Sequence, residues 1–260
     1  MRAHAFPHGT QVLALFNTDE GLKAHPNYKA AKAGDLQAAL TLVIDLAVKW
    51  LFEHDSRFAP DCVFVAPHAR EASGDNAIPQ TLAAVCATIF RGTVDQEVVQ
   101  SDRVYHTGAN AMERLASRAT FEGHVASGAR FVLVDDVINL GGTLAELNDY
   151  ILSRGGQVVD VVALVNAGRN PDLLPVRKDV RLIKERFKDE FTEIFGIRPE
   201  ALTANEARYL VGFRSLDEIR DCLSKARQEI DRRLRSKGIS RSGSTAPGPQ
   251  GGIQLNSQAE

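Results

Sequence analysis

The sequence is short of net charge, of cysteine and of long apolar runs, and each shortage excludes something. Lysine and arginine number 31 against 33 aspartates and glutamates, a formal net charge of -2, so no global positive field exists to hold nucleic acid or an anionic membrane surface. The three cysteines, Cys62, Cys86 and Cys222, are odd in number, widely separated and in no metal-ligand spacing. They read as free thiols of a reducing compartment. The early apolar run is only Val12 to Phe16, and no stretch approaches the roughly 20 apolar residues of a membrane span. A cytoplasmic protein with neither a membrane nor a nucleic acid as partner is expected. There is no internal repeat and no Gly-x-Gly-x-x-Gly turn, which argues against a dinucleotide-binding domain.

What is present suits an ordinary globular chain. Its 260 residues, 44% apolar and 25% charged, allow one main core with an appendage. Residues 27 to 54 read as two helical pieces split at Gly34-Asp35, where the glycine ends one helix and the aspartate caps the next. Cys62 to Ala66 reads as a buried strand, followed by a polar loop and a helix from Ile78-Pro79 to Phe90. A further strand is expected at Glu97 to Ser101, then an arginine-bearing excursion or mobile loop from Asp102 to Gly123 with some helix near Ala111 to Ser117.

Arg130 to Val134 and Gln157 to Val165 are apolar runs of the kind buried on both faces of a parallel sheet, with a helix from Thr143 to Arg154 between them. Strands alternating with helices predict an α/β fold, a mainly parallel sheet flanked by helices. Beyond Asn166 come a charged helix from about Lys178 to Phe195 and two capping boxes, Thr203 to Glu206 and Ser215 to Glu218. The last helix carries Leu216, Ile219, Leu223, Ala226, Ile230 and Leu234 on one side. Its Arg227, Arg232, Arg233 and Arg235 alternate with acids and read as a solvated face. The expected divisions are an N-terminal helical segment over 1–60, a core over 61–170, a C-terminal helical extension over 171–237 and a disordered tail over 238–260.

The chemistry concentrates in Phe131-Val-Leu-Val-Asp-Asp-Val-Ile-Asn-Leu-Gly-Gly-Thr143. Two carboxylates stand at the carboxyl end of a buried strand, where open parallel sheets bind ligands. Gly141 and Gly142 then turn the chain tightly and expose its amides, and the helix starting near Thr143 adds unpaired amides and the positive end of its dipole. That is a cup for an anion, with Thr143 offering a hydroxyl, and the acids just before it are placed for a sugar attached to a phosphate.

The whole pattern, four apolar residues, two acids, two apolar residues, two variable positions and Gly-Gly-Thr-Leu, resembles the ribose-phosphate signature of the type I phosphoribosyltransferases. The resemblance is strongest over about Val125 to Val165. It implies that phosphoribosyl pyrophosphate is the donor, that Mg2+ is held mainly by the pyrophosphate without an assigned protein ligand, and that Asp135 and Asp136 meet the ribose hydroxyls. It further implies that Asn139, Leu140, Gly141, Gly142 and Thr143 wrap the 5-phosphate, and that Pro67, His68, Ala69 and Arg70 form the pyrophosphate loop, where a guanidinium fork suits paired oxygens. Arg103, His106, Arg114 and Arg118 become mobile-loop contacts to pyrophosphate, or else the solvated side chains of a surface loop.

The implied reaction transfers ribose 5-phosphate to a base-like nitrogen acceptor with release of pyrophosphate, in a protein expected to be a homodimer. A small hood over the acceptor is implied too, drawn from residues 1–55, 166–195 or both. The sequence departs from the pattern at Leu140, where relatives often have threonine or a small residue, and at Asn139, where purine-type relatives can carry an aspartate. No lysine lies between Lys49 and Lys178 to serve a mobile loop. Those departures keep open an alternative, a non-catalytic sensor of phosphoribosyl pyrophosphate or a nucleotide that signals through its C-terminal helices.

Overall fold

The computed structural model of the protein describes residues 1–68, 76–101 and 108–236. The chain runs through β1 (Val12–Phe16), α1 (Glu20–Lys23), α2 (Tyr28–Lys32), α3 (Leu36–Phe52), β2 (Cys62–Val65), α4 (Ile78–Phe90), β3 (Thr93–Val94), β4 (Val99–Gln100), α5 (Ala111–Ala116) and β5 (Phe121–Glu122). It continues with β6 (Arg130–Ile138), α6 (Gly142–Leu152), β7 (Gln157–Asn166), α7 (Arg177–Phe187), α8 (Glu190–Phe195), α9 (Ala204–Leu210) and α10 (Leu216–Ser236). Five strands pair in parallel in the order β1-β7-β6-β2-β3, while β4 and β5 form a separate antiparallel ribbon. The α/β fold with a mainly parallel sheet flanked by helices is therefore observed.

The sheet is apolar on both faces because helices cover both. Val132, Val134, Val162 and Leu164 pack with Leu42 and Val43 of α3 and Leu82 and Ala83 of α4. On the opposite face, Phe131, Leu133, Val161 and Ala163 pack with Leu144, Leu147 and Ile151 of α6. A third cluster lies away from the sheet, where Met112 and Leu115 of α5 meet Phe187, Phe191, Leu210, Ile219 and Leu223 from the helices after β7. None of the described helices is long and apolar enough to cross a membrane.

The helix signals act as expected where a side chain supplies them. Asp35 accepts from the Ala38 amide at 2.9 Å and opens α3. Thr203 and Glu206 form a complete capping box at α9. Three expectations change. The charged helix expected over 178–195 breaks into α7 and α8 at Lys188, whose φ is +50°. The segment from Ala111 to Ala116 is not a free excursion, because α5 buries Met112 and Leu115 against the C-terminal helices. The strand after the excursion does not stop at Val134. Pairing of Asp135 with Ala163, Val137 with Val165 and Ile138 with Asn166 carries β6 past both acids. The expected tail over 238–260 lies outside the described residues.

The turn from α4 into β3 tolerates no side chain at Gly92. A Cβ there would stand 2.4 Å from the carbonyl oxygen of Cys62 and 2.8 Å from the Phe64 ring. Gly92→Ala is expected to cost about 1–3 kcal/mol by overpacking. Urea denaturation measures it, and an unchanged midpoint would contradict this packing.

Candidate active site at the end of β6

Asn139, Leu140 and Gly141 join β6 to α6. Gly141 is the N-cap of α6 at φ +79°, a left-handed conformation that glycine adopts without cost. The amides of Gly142, Thr143 and Leu144 head the helix and have no carbonyl partner inside it. Gly142 must also be small, since a Cβ would lie 2.8 Å from Glu206 Oε1. The five residues from Asn139 to Thr143 line a single cleft together with Arg114, Asp135, Val137 and Glu206.

The alternation of β6 separates the two acids. Asp135 continues the parity of Phe131 and Leu133, and Asp136 that of Val132 and Val134. Asp135 lines the cleft, and burial, reinforced by the neighbouring Asp136 charge, pushes its carboxyl up to about 8. One of its oxygens also accepts from the Asp136 amide at 2.8 Å. Asp136 is 4% exposed and meets Lys32 Nζ at 2.9 Å. Burial opposes the Lys32 charge, but the Asp136 carboxylate outweighs it and leaves the ammonium above its ordinary value. Only Asp135 of the acidic pair thus lines the cleft, whereas Asp136 is committed to a lysine 104 residues earlier.

Arg114 reaches the same cleft, its guanidinium pushed down by burial and partly restored by the Asp135 charge. Arg118 does not join it. Its Nη1 holds Glu146 at 2.8 Å, outside the residues that line this cleft. Pro67 and His68 follow β2, but His68 lines a separate cleft with Leu40, Thr81 and Val99, and its Nδ1 lies 2.9 Å from the Ala66 carbonyl oxygen. Ala69, Arg70, Arg103 and His106 lie outside the described residues.

Three participants were missed in the sequence. Arg2, 1% exposed, pairs with Glu206 and, at 3.3 Å, with Glu146. Burial pushes the Glu146 carboxyl up, against the pull of Arg2 and Arg118. Glu206 was legible as a cap but not as a wall of the cleft. Lys32 and Arg2 gave no local signal, because their partners are far away in sequence.

A family model described as the phosphoribosyl transferase domain matches residues 80–198. The protein TraN of Escherichia coli is 37% identical over 257 residues, which cover 94% of this chain and 56% of TraN. An uncharacterized protein of Haemophilus influenzae is 32% identical over 133 residues, 50% of this chain and 30% of that protein. The chain thus spans about half the length, or less, of these curated relatives. Among solved structures, adenine phosphoribosyltransferase from Thermoanaerobacter pseudethanolicus is 19% identical, with 48% of this chain and 84% of that one covered and a TM-score of 0.30. The AQ2163 protein of Aquifex aeolicus is 14% identical, with 68% and 83% covered and a TM-score of 0.37.

Removing the cation opposite Asp136 tests the pair. Lys32→Met is expected to lower stability at pH 7 by about 1–3 kcal/mol, less than a fully buried pair because the lysine is partly exposed. Lys32→Arg, which keeps the charge, should recover most of that loss. Equal losses in Lys32→Met and Lys32→Arg, measured by urea denaturation, would count against an ionic role.

Asp135 makes the stability of the wild type depend on pH. An acid with a raised pKa binds its proton more tightly when folded, so its stabilising effect is complete at low pH and is lost as pH rises from its unfolded value, about 4, to about 8. Asp135→Asn should therefore gain stability relative to wild type by on the order of 1 kcal/mol or more between pH 5 and pH 8.5. A constant difference in thermal midpoint across that range would refute the shift.

Proposed function

We propose that this chain, whose residues 80–198 match the phosphoribosyl transferase domain, is a type I phosphoribosyltransferase that binds phosphoribosyl pyrophosphate and transfers ribose 5-phosphate to a base-like nitrogen nucleophile. The observation that carries this reading is one cleft lined by the glycine turn, the first residues of α6 and the Asp135 carboxyl. A phosphate dianion suits the helix start, where free amides and the Thr143 hydroxyl donate to it. A ribose joined to that phosphate would bring its hydroxyls toward Asp135, the acceptor next to the cup.

The reaction displaces pyrophosphate from C1 of the ribose. The C1–O bond to pyrophosphate breaks, the C1–N bond forms, the leaving group carries the electron pair away, and the nitrogen gives up its proton. Positive charge develops on the sugar, so fixed negative groups and the exclusion of water lower the barrier more than covalent help would. Asp135, as a carboxylate once the ligand's hydroxyls donate to it, orients and stabilises that sugar. Arg114 is a cation in the cleft for anionic oxygens, and Arg70, which follows β2 in the sequence, is the proposed guanidinium fork for the pyrophosphate.

Magnesium is compatible with the cleft, since Asp135 offers it a hard carboxyl oxygen and a diphosphate supplies most of the oxygens such an ion needs. When bound, the ion neutralises charge on the leaving diphosphate.

A second reading, a sensor of the same ligand, is favoured by one specific observation: Thr203 and Asn205 of the C-terminal helices bond the carbonyls of Leu140 and Asn139. Ligand in the loop would then be felt directly by those helices.

The deciding measurement is pyrophosphate release from phosphoribosyl pyrophosphate with magnesium, across a panel of purine and pyrimidine bases. Release that depends on one base is expected, with Asp135→Asn slowing it by about a hundredfold or more. Saturable binding of the donor without release would favour the sensor, and neither binding nor release would overturn both readings. Asp135→Asn is the clean variant, because Asp136 is tied into the folded core by Lys32.

A further inference from the structure

Three carbonyls of the β6–α6 connection accept hydrogen bonds from side chains far away in sequence. Asn205 Nδ2 donates to the Asn139 oxygen at 3.2 Å, Thr203 Oγ1 to the Leu140 oxygen at 2.5 Å, and Arg2 Nη1 to the Gly142 oxygen at 3.4 Å. No peptide bond among the described residues is cis. In a trans peptide the carbonyl of one residue and the amide of the next point in opposite directions. Holding the oxygens of residues 139, 140 and 142 therefore turns the amides of Leu140, Gly141 and Thr143 away from the donors. Those are amides that a phosphate in the cup would use.

The contact is built on both sides. Gly168 gives Asn205 its access, because a Cβ there would stand 2.1 Å from Asn205 Nδ2 and 2.6 Å from the Asn139 oxygen. Thr203 is itself buried, and its oxygen also takes the Glu206 amide at 3.1 Å, so the hydroxyl proton is left to point at Leu140. Arg2 is fixed by Glu146 and Glu206. None of the three donors falls within residues 80–198, the segment matched by the family model.

We infer that Thr203, Asn205 and Arg2 are positioning residues for a phosphate group, a clamp from outside the matched domain that aims the amides of the β6–α6 loop. The inference rests on the proposed phosphate cup and adds to it the groups that set its shape. It also accounts for Leu140, because a loop aimed through its backbone needs no hydroxyl at that position.

The test is calorimetric titration of ribose 5-phosphate into the full chain and into Asn205→Ala, Thr203→Val and Thr203→Ser, with amide hydrogen exchange of the loop followed in each. Losing one donor is expected to weaken binding by about five- to tenfold, the scale of one hydrogen bond, and to speed exchange at residues 140–143. Thr203→Ser should restore both toward wild type. Asn205→Ala leaves the capping box whole, so its loss cannot be laid to an unravelled α9. Wild-type affinity and exchange in Asn205→Ala, or a Thr203→Ser no better than Thr203→Val, would overturn the clamp while the cup stands. A wild type that does not bind ribose 5-phosphate would overturn the cup itself, and the clamp with it.

Discussion

The ladder between β6 and β7 is the constraint on which the site depends. Because β7 pairs with β6 as far as Ile138, the period of two persists through Asp135-Asp136 and sends successive carboxylates to opposite faces of the sheet. One face offers Asp135 a cleft, and the other offers Asp136 a lysine. Had the strand ended at Val134, both acids would lie in a loop, free to meet one ligand together. The ladder converts a pair of like residues into two different groups, a carboxyl that lines the cleft beside the glycine turn and one bonded to a lysine on the other face.

That division explains the electrostatics of the cleft. Two adjacent carboxylates repel one another, and the Lys32 ammonium acts on both but bonds only Asp136. Lys32 lies 2.9 Å from Asp136, so Asp135 retains the burden of burial and of its neighbour's charge. An acid in that state gains most from a ligand that donates hydrogen bonds or carries a cation. At the other side of the turn, Glu206 lies beside Gly142, where a lone carboxylate would repel a phosphate, but Arg2 is paired with it. Asp136 and Glu206 are thus each held in an ion pair, whereas Asp135 feels Lys32 and Arg114 as nearby charges.

Much of this was legible in the sequence, and the limit follows from physics. Apolar runs and glycine breaks announced the parallel sheet, because burial on both faces demands them, and Asp35 and Thr203 announced their helices because a cap acts within three residues. The turn at Gly141-Gly142 was visible for the same local reason. Strand ends were less so: β6 continues through two charged residues because its neighbour supplies the ladder, which no window around Asp135 contains. The break at Lys188 was hidden as well, since the helical pattern of residues 178–195 continues across it. Lys32, Arg2 and Asn205 are ordinary residues in ordinary surroundings, and only the folded chain brings them to the loop.

The residues that sequence could not reveal share a property. They come from outside the strand–turn–helix unit, from α2, the N-terminal segment and α9, and each acts on a backbone or carboxylate group of that unit. A strand–turn–helix unit can be inherited as a local pattern, because its own glycines and helix start create the anion cup. Its charge balance and the aim of its amides cannot, because they need donors approaching from beyond the loop. Side chains that act on a backbone carbonyl are under a geometric demand, not a demand for one residue type: any donor of the right reach will serve. The local unit is therefore the part that a sequence pattern can announce, while its supports become visible only where the fold brings distant segments to the loop.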